Sequence, residues 1–285
     1  MRNKATDFAA TVYFWLAGFS IIGLLVWVLY RILSAGLPHL SWDFITGLPE
    51  DIMPGGGVGP MLFNSFYILF LSLVFSLPVG FGAGIYLAVY AKKNRLTEFI
   101  RISVEALASV PSIVFGLFGF LLFVQFFNLK ISVLSGSLAL ALLNLPVLVR
   151  VTEGAFRTVP HSYWEASLAL GSTRWQAIRK VLFPAALPSL ITGITLVAGR
   201  ALGESAILIY TAGLSVSRNF PELNPFAMGE TLAVHLWYVQ SEALVPDAKQ
   251  IEAGSAALLL LVVLAFNLLI GILSRIIQKR LSGGK

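Results

Sequence analysis

Six long apolar runs, at 11–30, 61–90, 109–127, 134–151, 187–212 and 256–277, leave this chain few folds to choose from. A hydrocarbon core about 30 Å thick takes roughly twenty apolar residues to cross at a rise of about 1.5 Å per residue. Continuous runs of this kind can span only as helices, because a barrel strand would alternate between apolar and polar residues. The run at 61–90 is longer than one span needs. It contains Pro78, followed by Gly80 and Gly84, which predicts a tilted or kinked helix projecting beyond the bilayer. With 57% apolar and 12% charged residues and a mean hydropathy of +0.84, an all-α integral membrane protein of six transmembrane helices is expected.

Charge orients the chain, because Lys and Arg collect in loops that remain cytoplasmic. Arg2 and Lys4 precede the first run. Lys92, Lys93, Arg95 and Arg101 follow the second, and Arg157, Arg174, Arg179 and Lys180 follow the fourth. Arg275, Lys279, Arg280 and Lys285 close the chain. The alternate loops are acidic, with Asp43, Glu50 and Asp51 after the first run and Glu222, Glu230, Glu242, Asp247 and Glu252 after the fifth. Both termini are expected in the cytoplasm of a multi-pass inner-membrane protein. The first run lacks a small-residue cleavage pattern and continues into Arg31 and Ile32, so it reads as a retained helix. The net charge of +6 is a topology signal and gives no support to nucleic-acid binding.

Several chemistries are excluded. There is no cysteine, and His39, His161 and His235 are too far apart to suggest a metal cluster. These histidines read as loop residues. No GxxxxGK[ST] pattern occurs, and Gly283-Gly284-Lys285 ends the chain, so any ATP and its Mg would be bound by a partner subunit. A non-catalytic chain without a cofactor of its own is expected.

The polar, basic insert at 165–184 stands apart from this apolar background. Pro160-His161-Ser162 reads as a helix start, with Trp164, Leu168 and Ala169 on one apolar face. Gly171 would interrupt that helix. Ser172 and Thr173 could cap a second short helix carrying Trp175, Ile178 and Leu182 on one side. Such a helix–turn–helix at the membrane surface could fill a groove on a partner or simply lie in the lipid interface.

The spacing of this insert resembles the EAA loop of ATP-binding-cassette (ABC) importer permeases: Glu165-Ala166-Ser167, Gly171, then Val181, Phe183 and Pro184 at the family's intervals. Ser167, Val181 and Phe183 replace the usual Ala, Ile and Leu. Further stretches are similar to the phosphate permeases of that family: Gly55 to Pro60, Val110 to Gly116, Leu145 to Arg150 with Glu153, and Gly199 to Glu204. The resemblance implies a type I, MetI-like permease fold. It places ATPase-coupling helices at 160–182, with Glu165, Ala166, Leu168, Gly171 and Trp175 as contact residues. A core of five helices would run over 61–277, after an N-terminal helix and outer loop at 1–60 and before a cytoplasmic tail at 278–285.

Charged side chains inside apolar runs suggest the path of a solute, since each costs roughly 2.5–3.5 kcal/mol in lipid. Arg200 and Glu204, four apart in the fifth run, should share a helical face and neutralise each other; Arg150 and Glu153 should form a second pair near the inner end of the fourth. Such pairs could merely tie helices together. A guanidinium also matches an oxyanion, and a nearby carboxylate would keep the anion from being trapped. The resemblance points the same way, to Arg200, Arg150, Glu153 and Glu204. Ser112, beside Pro111, could also line the path. The glycines at 55–59 could cradle an anion but read better as an outer turn, and Gly80 with Gly84 reads as a close helix contact. Trp15, Trp27, Trp42 and Trp237 read as interfacial anchors or packing. The outer loop at 213–254 can fold into small helices and receive an external binding protein.

What the resemblance implies is the membrane subunit of an ATP-driven phosphate importer, working by alternating access. A second, homologous permease would complete a heterodimer, joined by two ATPase subunits and an external phosphate-binding protein. Molybdate, tungstate or sulfate would suit the same basic residues. A self-contained secondary transporter or channel also fits six spans with internal charges, although it leaves the insert without a purpose.

Overall fold

The apolar runs fold as helices that satisfy their own backbone hydrogen bonds, as lipid requires. The computed structural model describes residues 4–50, 54–217, 220–242 and 245–281. Arg2, Asp51 and Gly283-Gly284-Lys285 lie outside the described residues, as do the side chains of Lys4, Lys279 and Arg280. Among the described residues there is no strand, only an isolated bridge between Val216 and Gly229.

Twelve α-helices are named in chain order: α1 Lys4–Gly36, α2 Trp42–Thr46, α3 Gly59–Ile85, α4 Arg95–Ala108, α5 Ser112–Gly119 and α6 Val133–Arg157, then α7 His161–Ala169, α8 Arg174–Ala177, α9 Phe183–Leu202, α10 Ala206–Thr211, α11 Leu232–Ser241 and α12 Ala248–Leu281. Wider π-helical turns extend α3 to Tyr90 and α5 to Phe126, and another fuses α8 to α9. Among the described residues, five helices are long and apolar enough to cross a membrane. A sixth crossing exists if α4 and α5, bent 95° at Val110-Pro111, count as one span.

The first and last helices, Lys4–Gly36 and Ala248–Leu281, are longer than the apolar runs they contain, and three further differences from the sequence expectation bear on the site. The third run is only the second arm of that bent pair. Its first arm, α4, was hidden in a segment read as a basic loop. It starts where the Asn94 side chain accepts from the Thr97 amide, 2.8 Å, and its apolar positions are interleaved with Arg95, Glu98, Arg101 and Glu105. The fifth run is broken: Gly203 ends α9, with Gly203 N donating to Arg200 O at 3.1 Å and Glu204 N to Ala201 O at 3.3 Å. Hydropathy does not see this break, because apolar residues resume immediately in α10. The fourth run continues beyond Val151 to Arg157.

The core is centred on α6, which packs along α3 and against α9, α10 and α5. Without a hydrophobic force between helices in lipid, close approach depends on small residues. Gly80 and Gly84 of α3 meet Leu148 and Thr152 of α6, Gly119 of α5 meets Ala139, and Gly193 of α9 meets Val151. Ile68, Leu140, Ala198, Ile207 and Leu208 fill the centre, while Phe156, Ile178, Leu182 and Leu190 fill the inner end. The helix α1 stands largely apart, presenting most of its apolar surface outward and meeting α12 where Gly36 abuts Ala253 and Ala257.

The outer loop is more deeply built in than expected. Thr231 caps α11, whose Leu232 and Val234 are fully buried against α3 and α12. His235 is no loop residue: it is buried on α11 with Nδ1 3.1 Å from Glu230 Oε1. The glycine run is a packed turn, with Gly57 N donating to Leu48 O, Gly59 N to Gly47 O and Gly55 N to Asp247 Oδ2. Those three amides are therefore engaged and unavailable to cradle an anion.

Candidate functional site

The insert folds as two helices around a left-handed glycine. His161 opens α7 after Pro160, and its Nδ1 lies 3.1 Å from Glu165 Oε1, both exposed on one helical face. Gly171 has φ +82°, a conformation that costs other residues about 1–2 kcal/mol. Thr173 then caps the next helix through a reciprocal pair: Gln176 N donates to Thr173 Oγ1, and Thr173 N to Gln176 Oε1. Ser167, where the importer pattern carries Ala, is itself structural, since its hydroxyl lies 2.6 Å from that of Ser172, which donates to Ser167 O.

The second helix of the insert is a stem and no surface hairpin. Residues Arg174–Leu202 form one continuous rod, with Ala177, Ile178, Leu182, Ala186 and Leu190 buried along it. Trp175 does not share that face and is 61% exposed. Trp164 and Leu168 of α7 are half-buried, whereas Ala169 is exposed. Ala166, Gly171, Lys180 and Val181 edge a shallow hollow beside Leu170, which is 88% exposed, more than any other large apolar residue described. Glu165, Ala166, Gly171 and Trp175 thus lie on the open face of the insert, with Leu168 beneath them.

The charged pairs are not those expected. Glu204 lies past the end of α9, so it shares no helical face with Arg200, and no ion pair joins them among the described residues. Arg150 and Glu153 point apart on α6: Arg150 Nη1 reaches Glu105 of α4 at 3.0 Å, in the open. Glu153 is buried and accepts from Arg101 Nε at 2.8 Å and from Arg157 Nη2 at 2.7 Å. Arg101 also donates to Leu87 O at 3.1 Å, so one carboxylate ties α3, α4 and α6 together directly above the insert. Sequence reasoning named Arg101 only as a topology marker; its partner lies fifty-two residues away, and no local spacing reveals such a pair. Ser112 sits half-buried at the bend that opens α5.

Arg200 lines a small hollow of about 200 Å³ between α6 and α9, walled by Leu143, Val147, Val151, Leu196 and Val197 and shared with Asn144. The Asn144 side chain is buried, and its Nδ2 has no hydrogen-bond partner. No spacing in the sequence distinguished this asparagine.

A fold of this kind, with a polar surface insert feeding directly into a membrane-crossing rod and ionic contacts in the bundle, defines a transport permease. The match to known proteins is specific. Residues 80–283 fit the family described as the binding-protein-dependent transport system inner membrane component, and the chain belongs to that family. It is 46% identical over 292 residues to the probable ABC transporter permease protein YqgI of Bacillus subtilis, covering 99% of each chain. It is 35% identical over 252 residues to the phosphate transport system permease protein PstA of Haemophilus influenzae, covering 87% of each. Among solved structures it resembles an inward-facing methionine ABC transporter, MetNI, at 23% identity over 78% of this chain and 94% of that one, TM-score 0.60. An alginate ABC transporter matches at 14% identity over 93% and 96%, TM-score 0.66. The fold is therefore the type I, MetI-like importer permease, and the chain is a non-catalytic, multi-pass inner-membrane component. Family membership sets aside a self-contained secondary transporter or channel.

Proposed function

We propose that this chain is one of two permease subunits of an ATP-driven importer for inorganic phosphate, with both termini cytoplasmic. The observation that carries the reading is the continuous helix from Arg174, at the insert, to Leu202: it links the insert whose open face carries Glu165 to the part of the bundle that carries Arg200. Support for phosphate comes from the PstA of Haemophilus influenzae at 35% identity and from a second, of Mycobacterium leprae, at 34% identity over 226 residues. Partners under this reading are a homologous permease, two ATPase subunits seated on the insert and an external phosphate-binding protein meeting the outer loop.

ATP binding would close the ATPases and move the insert as a rigid body, and the rod would carry that movement into the bundle. An oxyanion crossing a low-dielectric region is stabilised by guanidinium groups placed along its route. Arg200 is the first candidate because it is exposed on α9 with no ion-pair partner among the described residues. Arg150, Glu153, Glu204 and Ser112 are assigned to the path or its gate. Molybdate, tungstate or sulfate is the alternative cargo, since one guanidinium does not choose among oxyanions.

The test is ATP-dependent uptake of radiolabelled phosphate into vesicles holding this chain with its partner subunits. Wild type is expected to import phosphate. Arg200→Gln should lose uptake at least about tenfold, the equivalent of about 1.4 kcal/mol, with the ATPases still bound, and Glu165→Lys should lose ATPase association. Uptake of molybdate or sulfate in place of phosphate would overturn the substrate assignment, and undiminished uptake by Arg200→Gln would remove that residue from the path.

A further inference from the structure

We propose that Asn144 is the second donor of a mid-membrane oxyanion site whose first donor is Arg200. This rests on the importer reading and adds to it a residue that nothing above assigns.

The two side chains are placed together by helix register. The antiparallel helices α6 and α9 touch where Gly193 meets Val151. Asn144 lies seven residues before Val151, and Arg200 lies seven after Gly193, so both stand about two turns from that contact and on the same level. They line one half-open hollow of about 200 Å³, ample for a small oxyanion together with water. Asn144 is the twelfth of the twenty-five residues of α6, which puts the hollow near the middle of the helix and far from either polar surface.

The chemistry of the pair is complementary. Arg200 supplies charge and planar N–H donors, and it is exposed on the isolated chain. Asn144 is only 3% exposed, and its buried Nδ2 has no partner. A buried amide donor left unsatisfied is costly, and native structures keep few of them without a ligand, a water or a functional reason. The neighbouring amide on α12, Asn267, shows the contrast: its Nδ2 is satisfied by Val263 O at 2.8 Å. The remaining walls of the Asn144 hollow are apolar, so the one cation and the one amide define its specificity. A tetrahedral oxyanion drawn in by Arg200 would accept from Nδ2 once a turn of the amide or a shift of α9 against α6 opens that buried atom to the hollow, and the amide oxygen can accept from a protonated anion oxygen. An uncharged second donor strengthens the site without adding a charge that would hold the anion too firmly for passage.

The test uses the assembled transporter in vesicles. Asn144→Leu keeps the volume and removes the donor, and Asn144→Asp opposes an anion. Both are expected to cut phosphate uptake about tenfold or more while the ATPases stay bound, and Asn144→Gln should retain more uptake than either. Because this chain has no native cysteine, Asn144→Cys supplies a readout that a purely structural role would not move. During turnover the introduced thiol should react faster with an anionic methanethiosulfonate than with a cationic one, and phosphate should slow that reaction. Wild-type uptake by Asn144→Leu would overturn the proposal, as would labelling that is absent, indifferent to reagent charge or unaffected by phosphate. A wild-type transporter that carries sulfate or molybdate refutes only the phosphate assignment; labelling protected by the carried anion would still support Asn144.

Discussion

The carboxylate of Glu153 is the best place to test the packing energetics, because its two partners differ in burial. Its side chain is 11% exposed, against 22% for Arg101 and 54% for Arg157. Replacing Arg101 with Gln removes one charge-assisted bond, worth about 1.5–3 kcal/mol, and the bond to Leu87 O, worth about 1 kcal/mol. The carboxylate keeps Arg157, so the estimate for Arg101→Gln is about 2–4 kcal/mol. Arg157→Gln removes a half-exposed pair and should cost no more than about 1 kcal/mol. Glu153→Gln removes the carboxylate that the two guanidiniums share, leaving Arg101 no carboxylate but Glu98, in a longer, exposed contact at 3.7 Å, and should cost at least as much as Arg101→Gln. At roughly 2–4 °C per kcal/mol for a chain of this size, thermal unfolding in detergent should fall by about 4–16 °C for Arg101→Gln and by less than about 4 °C for Arg157→Gln. The double variant Arg101→Gln with Glu153→Gln should lose at least about 1 kcal/mol less than the sum of the singles. Strict additivity, or an Arg157 effect as large as that of Arg101, would refute a buried three-way clamp.

Two further outcomes follow from local geometry. Gly171→Ala forces a side chain into a left-handed turn and should destabilise the insert by about 1–2 kcal/mol, read as faster proteolysis at 170–173 with the bundle intact. Gly36→Leu drives a side chain into Ala253 and Ala257 and should detach α1 from α12, read as loss of crosslinking between cysteines placed at positions 33 and 256; retained crosslinking would show that this contact does not hold α1.

The membrane helices were legible because apolar continuity alone decides a spanning helix. The insert was legible because Gly171 and Thr173 carry their turn and cap chemistry in their identities. The close helix contact at Gly80 and Gly84 was legible too, but the charged pairs and the break in the fifth run were not. Arg200 and Glu204 satisfy a four-residue spacing, yet the spacing presumes a continuous helix, and the two bonds that end α9 at Gly203 depend on no residue that hydropathy can register. Arg150 and Glu153 likewise satisfy a three-residue spacing, but α4 offers each a better partner from across the bundle. The helix α4 itself was masked because a basic, amphipathic segment between two apolar runs reads as a loop. Asn144 carried no signal at all: one asparagine in an apolar run becomes informative only when Gly193 brings α9 against it.

The position of the break in the fifth run bears on how an importer of this kind could be driven. From Arg174 to Leu202 the chain is one 29-residue helix, about 43 Å long at the usual rise, and it crosses the bundle without a non-helical residue. A continuous helix passes displacement along its length, so a shift imposed at Thr173 would be carried toward Arg200 through the π-helical turn at Ile178–Leu182 and past Pro184 and Pro188. The first non-helical backbone after Thr173 is at Gly203 to Ser205, just beyond Arg200, before α10 begins. On the inner side, the Glu153 clamp fastens α6 to α3 and α4 about two turns before the insert, while the α8–α9 helix is joined to α6 by apolar packing of Ile178, Leu182 and Leu190 against Phe156 and by no ion pair among the described residues. At Gly193 the absence of a Cβ lets Val151 seat directly against the α9 backbone, and Asn144 and Arg200, which share a hollow, each lie about two turns from that contact. A displacement of the rod by even a fraction of a turn would change the separation of the guanidinium from the amide. Under the proposed importer reading, the movement that ATPase closure would impart to α8–α9 is also one that would assemble or open the proposed anion site.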